Sequence, residues 1–333
     1  MRWLEKFFGR LRPPFENSGR LSVFKPLFDA FENFCFAPGH STVVAPHVRD
    51  AIDVKRFMSM VIVALLPCLA AAYYFFGLRL LAMIAVSYAA GGAVEVVVAL
   101  IRKEDIAEGF LVTGMIFPLL LPPTLPLWMV AVGVAFGVFV GKEMFGGTGR
   151  NIFNPAIVGR CFLALAYPAA MAGNWVSPGT GFTGRTLQYV SAANMEQLDA
   201  VSSATPLALA KQGECAPLLD MFLGQTSGSL GETSVLCILL GGVFLLWTRV
   251  TNWRTVAAVL GSFSLMAGIL HHSQPDRYAP VLWHLCAGGL MFGTFFMATD
   301  PVSSPATNTG KVLCGIAIGL LVALIRNYTG YTE

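Results

Sequence analysis

The stretch that decides the fold is TGMIFPLLLPPTLPLW, residues 113–128, in which two apolar runs meet at a cluster of prolines. The apolar segments on either side, 109–121 and 127–141, are short for helices that must cross a hydrocarbon layer of about 30 Å. Proline removes a backbone donor and breaks a helix, so the sequence PPTLP separates the two segments. Short, proline-interrupted segments are typical of broken helices around a site in the middle of a membrane.

Composition extends this interpretation to the whole chain. Of the 333 residues, 55% are hydrophobic and only 12% are charged, and the mean hydropathy is +0.65. Soluble domains carry about 25% charged residues, so a polytopic membrane protein is predicted. The net charge of +3, without a run of lysine and arginine, does not favour nucleic-acid binding. The seven cysteines form no C-x-x-C pair, so no zinc or iron–sulfur motif is predicted.

The pattern of apolar segments predicts an all-α polytopic membrane protein with about nine to ten transmembrane helices, some of them broken. Nine segments stand out: 58–76, 80–101, 109–121, 127–141, 157–172, 235–248, 255–270, 280–298 and 312–326. The helix–break–helix pattern of residues 113–128 has a weak echo in residues 292–305, which suggests two structural repeats.

Basic residues predict the orientation of these segments, because cytoplasmic loops carry an excess of lysine and arginine. Residues 1–57 hold nine of them and are assigned to the cytoplasm. The first twelve residues, MRWLEKFFGRLR, are interpreted as an interfacial amphipathic helix, with a disordered basic tail as the alternative. A first helix group follows over 58–173. The stretch 174–234 holds only Arg185 and Lys211 and is assigned to an extracytoplasmic loop, before a second helix group over 235–333.

A glycine-rich segment, GKEMFGGTGRNIFNPAIVGR at 141–160, is the first candidate for a ligand site. Its glycines permit positive φ, and Asn154 before a proline predicts the start of a helix. Free backbone N–H groups at such a turn suit an anion or the edge of a flavin ring, although a purely structural loop explains the same residues. The candidate residues are Gly146, Gly147, Arg150, Asn151 and Asn154.

Two acidic residues lie in or beside apolar segments. A carboxylate at Glu95, inside an apolar run, is costly and therefore suggests ion or proton handling. The alternative is that Glu95 extends to the membrane surface near Arg102 or Lys103. Asp300, in FFMATDPVSSPATNTGK, could hold a cation or a flavin, but capping of a helix end is the commoner role for Asp before Pro.

The polar segment LDAVSSATPLALAKQGECAP, residues 198–217, offers the hydroxyl of Thr205 to a modifying enzyme. Small residues precede it, and an acidic residue six positions earlier could bind a metal carried by that enzyme. These neighbours are Asp199, Ser202, Ser203 and Ala204. The residues alone favour a simpler alternative, a helix N-terminus capped by one of the serines with Pro206 in its first turn.

A resemblance to a known family covers the chain from about residue 25 to its end. It rests on HVRDAIDVKRFM, PPTLPLW, KEMFGGTGRNIFNPAIVGR, LGQTSGSLGETS and FFMATDPVS, which occur in this order. Together they resemble the B subunit of the sodium-translocating NADH:quinone oxidoreductase, and the related D subunit of the RNF complex shares the architecture. NADH itself is expected on another subunit, because no dinucleotide fingerprint occurs here.

The resemblance implies specific cofactor sites. In the family motif D-x-x-S-G-A-T, FMN is esterified to the threonine by a separate flavin transferase outside the cytoplasm; here that residue is Thr205, with Ser203 in place of glycine. A second flavin, riboflavin, is expected near the loop 146–154 and Asp300. Ubiquinone is expected near Gly91, Gly92 and Phe110, and the sodium pathway at Glu95.

The resemblance also implies the function and the setting. The expected role is electron transfer through FMN and riboflavin to ubiquinone, coupled to sodium export, in a six-subunit complex of the bacterial inner membrane. The partners include an FMN-bearing subunit, the NADH-binding subunit and membrane lipid. The family continues through a tenth helix with a further acidic residue, whereas this chain ends at Glu333, so a truncated or short form with less certain sodium coupling is expected. The alternatives are an RNF-type D subunit, a secondary transporter without redox chemistry, and a scaffolding subunit.

Overall fold

The computed structural model describes residues 54–102, 109–172, 175–176, 178, 205–211, 213–275 and 277–329. The regular structure in these ranges is helical. In chain order the elements are α1 (Val54–Phe76), α2 (Leu78–Arg102), α3 (Phe110–Leu119), α4 (Leu127–Gly141), a 3₁₀ turn (Glu143–Phe145), α5 (Pro155–Ala166), α6 (Pro168–Ala172), α7 (Pro206–Ala210), α8 (Leu218–Leu223), α9 (Val235–Trp247), α10 (Trp253–Ser273), α11 (Val281–Cys286), α12 (Leu290–Phe292), a π-helix (Gly293–Met297) and α13 (Asn308–Tyr328).

Several of these helices have the length and apolarity of membrane spans. Helices α3, α5 and α9 are shorter but also apolar. Leu165 and Trp247 expose 78% and 82% of their surface, as expected for helix faces that contact lipid. The multi-pass, all-helical prediction is confirmed, while the count of nine to ten helices and the two repeats stay predictions. Within the described residues, five helices suffice in length and composition to cross a membrane: Arg56–Phe76, Leu78–Arg102, Leu127–Phe145, Trp253–Ser273 and Asn308–Tyr328.

The proline cluster separates α3 from α4 as predicted, and other parts of the chain satisfy the backbone groups that it frees. Arg79 of α2 is buried and donates to the carbonyl of Pro123 at 3.1 Å and to that of Leu125. The N–H of Gly231 donates to the carbonyl of Leu119 at 2.7 Å. An unpaired backbone group away from water is costly. The break is therefore stable inside the protein, because Arg79 and the loop 224–234 between α8 and α9 form hydrogen bonds with its backbone carbonyl groups.

A second break interrupts the segment that was predicted as one span over 280–298. It consists of α11, α12 and the π-helix, and a turn then leads into α13. Single π-helical turns are uncommon and are often found at functional sites. The Pro/Thr stretch that the sequence marked in the second segment lies between the π-helix and α13, so this segment also has the form helix, break and helix.

Close helix crossings in this fold depend on glycine. A Cβ atom at Gly315 of α13 would lie 2.7 Å from the Cβ of Ala258 in α10. A Cβ atom at Gly159 of α5 would lie 2.6 Å from the carbonyl oxygen of Gly133 in α4. Helices in membranes associate largely through such close packing of small residues. Because α1, α3, α4, α9 and the π-helix share one core, the first and second helix groups meet directly.

Candidate functional site

The glycine-rich loop between α4 and α5 takes a backbone conformation that glycine adopts readily. The φ angles are 107° at Gly146, 86° at Gly147 and 90° at Gly149, in the left-handed region that L-residues with a Cβ rarely enter. The carbonyl of Lys142 accepts the N–H groups of Phe145 and Gly147, each at 3.2 Å. The expected positive φ values are confirmed, and the loop closes back onto the end of α4.

Asn154 and Asp300 meet although 146 positions separate them in the sequence. Asn154 is the N-cap of α5: its side-chain oxygen accepts the N–H of Ala156 at 3.0 Å, and Pro155 is the first helical residue, as predicted. Its amide nitrogen donates to a carboxylate oxygen of Asp300 at 3.4 Å. A predicted helix cap thereby links the first helix group to the turn that follows the π-helix.

Asp300 stabilises that turn and does not cap the next helix. Its carboxylate accepts the hydroxyl of Ser303 at 2.8 Å and the N–H of Val302 at 3.3 Å. The N-cap of α13 is Thr307, whose hydroxyl accepts the N–H of Gly310 at 3.1 Å. Burial raises the pKa of Asp300, and its hydrogen bonds oppose that rise. The hydrogen bonds therefore fix the position of the carboxylate, but they replace only part of the hydration that it loses on burial.

A cavity lies between the two helix groups at this point. It consists of two adjoining pockets that share Phe57 and Thr299: one of about 60 Å³, which we call the inner cavity, and one of about 630 Å³, which we call the outer cavity. Aromatic rings beside amide, hydroxyl and carboxylate groups are typical of cofactor pockets. Three predicted site residues, Gly146, Gly147 and Arg150, are not on the inner wall. The polar residues of that wall include Thr113, Lys142, Asn151, Asn154, Thr299 and Asp300.

Glu95 is buried in α2 and pairs with the ammonium group of Lys142. The second carboxylate oxygen, Oε2, has no hydrogen-bond partner in the described part of the chain. Lys142 Nζ also lies 3.9 Å from Glu143 Oε1. Arg102 pairs with Glu143 at 3.7 Å and donates to its carbonyl oxygen at 2.5 Å. The alternative that Glu95 extends to the surface beside Arg102 is therefore wrong, and Lys103 lies outside the described residues.

A second ion pair joins the partly exposed Arg160 of α5 to the buried Glu232, with 3.2 Å between Nη1 and Oε1. The side chain of Glu232 is 1% exposed, and its Oε2 atom is also without a hydrogen-bond partner among the described residues. The basic-residue pattern placed Arg160 in the cytoplasm and residues 174–234 on the other side. The two side chains meet because the end of that segment, 227–234, is buried. No local pattern in the sequence indicated this pair.

Gly91, Gly92 and Phe110, predicted near a quinone, are brought together. A Cβ atom would lie 2.9 Å from the Phe110 ring at Gly91, and 3.2 Å from it at Gly92. Tyr88, which the sequence did not single out, packs edge-on against the same ring with 5.5 Å between centroids. The two glycines therefore form the flat wall of an aromatic contact between α2 and α3.

Thr205 is the N-cap of α7, and its hydroxyl oxygen accepts the N–H of Ala208 at 3.4 Å. A helix does begin here with Pro206 as its first residue, but the cap is Thr205 and not one of the two serines. Thr205 is only 2% exposed. The other members of the attachment motif, Asp199, Ser202, Ser203 and Ala204, lie outside the described residues.

The fold and the site together define a multi-pass helical membrane protein, with broken helices around a polar cavity and two ion pairs with buried carboxylates. Residues 41–333 match the family model described as NQR2, RnfD, RnfE family. The chain belongs to this family, which confirms the resemblance drawn from its motifs.

Relatives in this family are similar to almost the whole chain. One is the B subunit of the Na(+)-translocating NADH-quinone reductase of Azotobacter vinelandii, 38% identical over 377 residues that cover 97% of this chain and 89% of that protein. The protein of the same name from Pseudomonas paraeruginosa is 37% identical, with 97% and 89% covered. That of Klebsiella pneumoniae is 37% identical, with 97% and 90% covered.

Proposed function

We propose that this chain is the membrane electron-transfer subunit of a sodium-pumping NADH:quinone oxidoreductase. The observation that carries the proposal is the 38% identity, over 97% of the chain, to a protein named as the B subunit of that enzyme. The chain then acts in a six-subunit complex of the bacterial inner membrane, with the NADH-binding and FMN-bearing subunits as partners. Its N-terminal segment is cytoplasmic. The contact between Arg102 and Glu143 supports one common side for the C-terminal ends of α2 and α4.

Covalent FMN on Thr205 is the first cofactor in this proposal. A phosphoester leaves the side-chain oxygen able to accept the N–H of Ala208, so the cap bond and the modification are compatible. Because Thr205 is 2% exposed, its hydroxyl must become more accessible before a flavin transferase reaches it. A bound flavin supplies the one-electron chemistry, and the protein sets distance, polarity and access.

Riboflavin in the cavity is the second cofactor, and the donor set supports its fit. Asn151 and Asn154 carry amide groups that match the donors and acceptors of a flavin ring edge, and Asp300 is held beside them. Phe57 and Phe295 supply apolar faces for the ring. The narrow inner cavity orients the polar edge, while the outer cavity gives room for the rest of the molecule.

Ubiquinone reduction and sodium transport complete the proposal. The ring of Phe110 fills the space beside Gly91 and Gly92. A flat quinone ring therefore reaches these glycines only when the Phe110 side chain rotates away. Glu95 supplies a carboxylate in the sodium pathway, and sodium affinity is linked to electron transfer as a coupling between two sites.

Intact-mass measurement of the mature subunit tests the proposal. Wild type from cells with an active flavin transferase is expected to carry one FMN, and Thr205→Ala is expected to lose both the added mass and the in-gel flavin fluorescence. Thr307→Ala is the matched control, because Thr307 caps α13 through the same type of hydrogen bond. A wild-type subunit without added mass, under these conditions, contradicts the proposal and favours a transporter without redox chemistry.

An RNF-type D subunit is the second candidate, because the matched family includes RnfD. Such a subunit would also carry flavin, so the mass experiment does not separate the two. The purified complex does: NADH-driven quinone reduction that depends on Thr205 supports the first candidate. Electron exchange between ferredoxin and NAD without quinone supports the second. A scaffolding role predicts full quinone reduction in Thr205→Ala.

A further inference from the structure

The carboxylate of Glu95 uses only one of its two oxygen atoms in the contacts of the described residues. Oε1 contacts the ammonium group of Lys142, and Oε2 has no hydrogen-bond partner in the described part of the chain. The side chains of both residues are 4% exposed. A buried charged oxygen without a partner is costly, and oxygen atoms of this kind are the ligands that hard cations prefer. The carboxylate thus has one unused oxygen that can bind a second cation or a cation that replaces the first.

Lys142 differs from a fixed counter-ion in having alternatives within reach. Its ammonium lies 3.9 Å from Glu143 Oε1, and its side chain also forms part of the cavity wall with Asp300. Asp300 has no ion-pair partner among the described residues. Lysine is a compact charge on a flexible stem, whereas arginine presents a rigid fork. If Lys142 moves away from Glu95, its ammonium group therefore still has the carboxylates of Glu143 and Asp300 nearby.

Charge balance explains why Lys142 must move for a cation to bind. Two acidic and two basic side chains form one cluster: Glu95 and Glu143, with Lys142 and Arg102. Counted over these four described side chains the charges balance, so a further buried cation beside them would be uncompensated. If the ammonium turns to the cavity, the carboxylate of Glu95 becomes available and the cation restores the local balance.

We propose that Lys142 is a positioning residue whose ammonium occupies the sodium position at Glu95, so that sodium binds there by displacing Lys142 toward the cavity. The choice of sodium as the cation rests on the proposed function. In this arrangement Lys142 sets the sodium affinity of Glu95 and connects that carboxylate to the cavity.

Chemical labelling tests the displacement in the unmodified complex. The purified complex is treated with acetic anhydride in sodium chloride or in choline chloride at equal ionic strength, and acetylation of Lys142 is read by peptide mass spectrometry. Sodium is expected to raise the labelled fraction by about fivefold or more, the lower end of typical couplings between sites. Lys211, which is exposed, is the control lysine and should not respond. Equal labelling of Lys142 in both salts overturns the proposal.

Variants test the competition itself. Lys142→Met is expected to raise the apparent sodium affinity about tenfold, measured as the sodium-dependent rise in the melting temperature of the complex relative to choline. The gain should disappear in Lys142→Met combined with Glu95→Gln. Lys142→Arg should lower the affinity, which keeps a test available if the methionine variant does not assemble. Unchanged sodium affinity in the Met or Arg variant, or a gain that survives Glu95→Gln, overturns the proposal.

The matched control is the other ion pair. Arg160→Met should give no rise in sodium affinity, because Arg160 is not on the wall of the cavity. A rise equal to that of Lys142→Met would mean that any broken ion pair admits sodium, and the specific role of Lys142 would be lost. Neither the labelling nor the melting experiment needs a flavin. Absence of FMN on Thr205 would therefore contradict the electron-transfer proposal, while the labelling and melting results would still test the role of Lys142.

Discussion

Two ion pairs with buried carboxylates, Glu95–Lys142 and Glu232–Arg160, join the same kinds of charge in different surroundings: Lys142 is 4% exposed and Arg160 is 20% exposed. Glu95 and Glu232 are both buried, and each has one carboxylate oxygen without a hydrogen-bond partner among the described residues. The cation beside Glu95 is a lysine on a cavity wall, with a second acid 3.9 Å away. The cation beside Glu232 is Arg160, which connects α5 to the loop 224–234 between α8 and α9. We therefore interpret the first pair as exchangeable, meaning that another cation can replace Lys142. We interpret the second as a clamp, meaning a fixed pair that holds α5 in place.

Replacing the clamp arginine gives the largest expected effect on stability. Arg160→Met leaves Glu232, 1% exposed, as an uncompensated buried charge, which costs about 3–5 kcal/mol. Chemical denaturation of the purified protein in detergent measures this loss. Glu232→Gln together with Arg160→Met should recover most of it, since no buried charge then remains. A loss below about 1 kcal/mol for Arg160→Met would show that the pair is not a clamp.

Neutralising the exchangeable acid has an intermediate expected effect. In Glu95→Gln the ammonium of Lys142 keeps Glu143 at 3.9 Å, so the loss of stability should be about 1–3 kcal/mol. The same denaturation experiment in sodium and in choline measures it. Sodium should stabilise the wild type more than the variant, because a bound cation adds to stability through mass action. The comparison fails if Glu95→Gln destabilises as strongly as Arg160→Met.

The surface member of the first cluster has the smallest expected effect. The side chain of Arg102 is 33% exposed and lies 3.7 Å from Glu143. Exposed pairs contribute about 0–1 kcal/mol, so Arg102→Gln should lower stability by no more than about 1 kcal/mol. Its melting curve, recorded beside that of Glu95→Gln, gives the comparison. A larger loss would mean that the pair of Arg102 and Glu143 is not the weak surface pair that its exposure indicates.

Local features of the site followed from the sequence, whereas distant contacts did not. Asn154 before proline predicted a helix cap, and glycines 146 and 147 predicted positive φ, because both depend on neighbouring residues only. Lys142 was missed as the partner of Glu95, since 47 positions separate them. No local signal identified Lys142: its place directly after an apolar run predicts a surface position, whereas the residue is buried.

The amino-acid sequence by itself determined the membrane class, the helical segments, the proline break and the family. These depend on composition, apolar length and local backbone restrictions, which act over a few residues. Only the tertiary structure decided which charges meet. Arg79 reaches the break 44 positions away, and Arg160 reaches Glu232 across 72. The reason is that a buried charge is stable only beside an opposite charge or a free carbonyl, and helix packing decides which of them lies within reach.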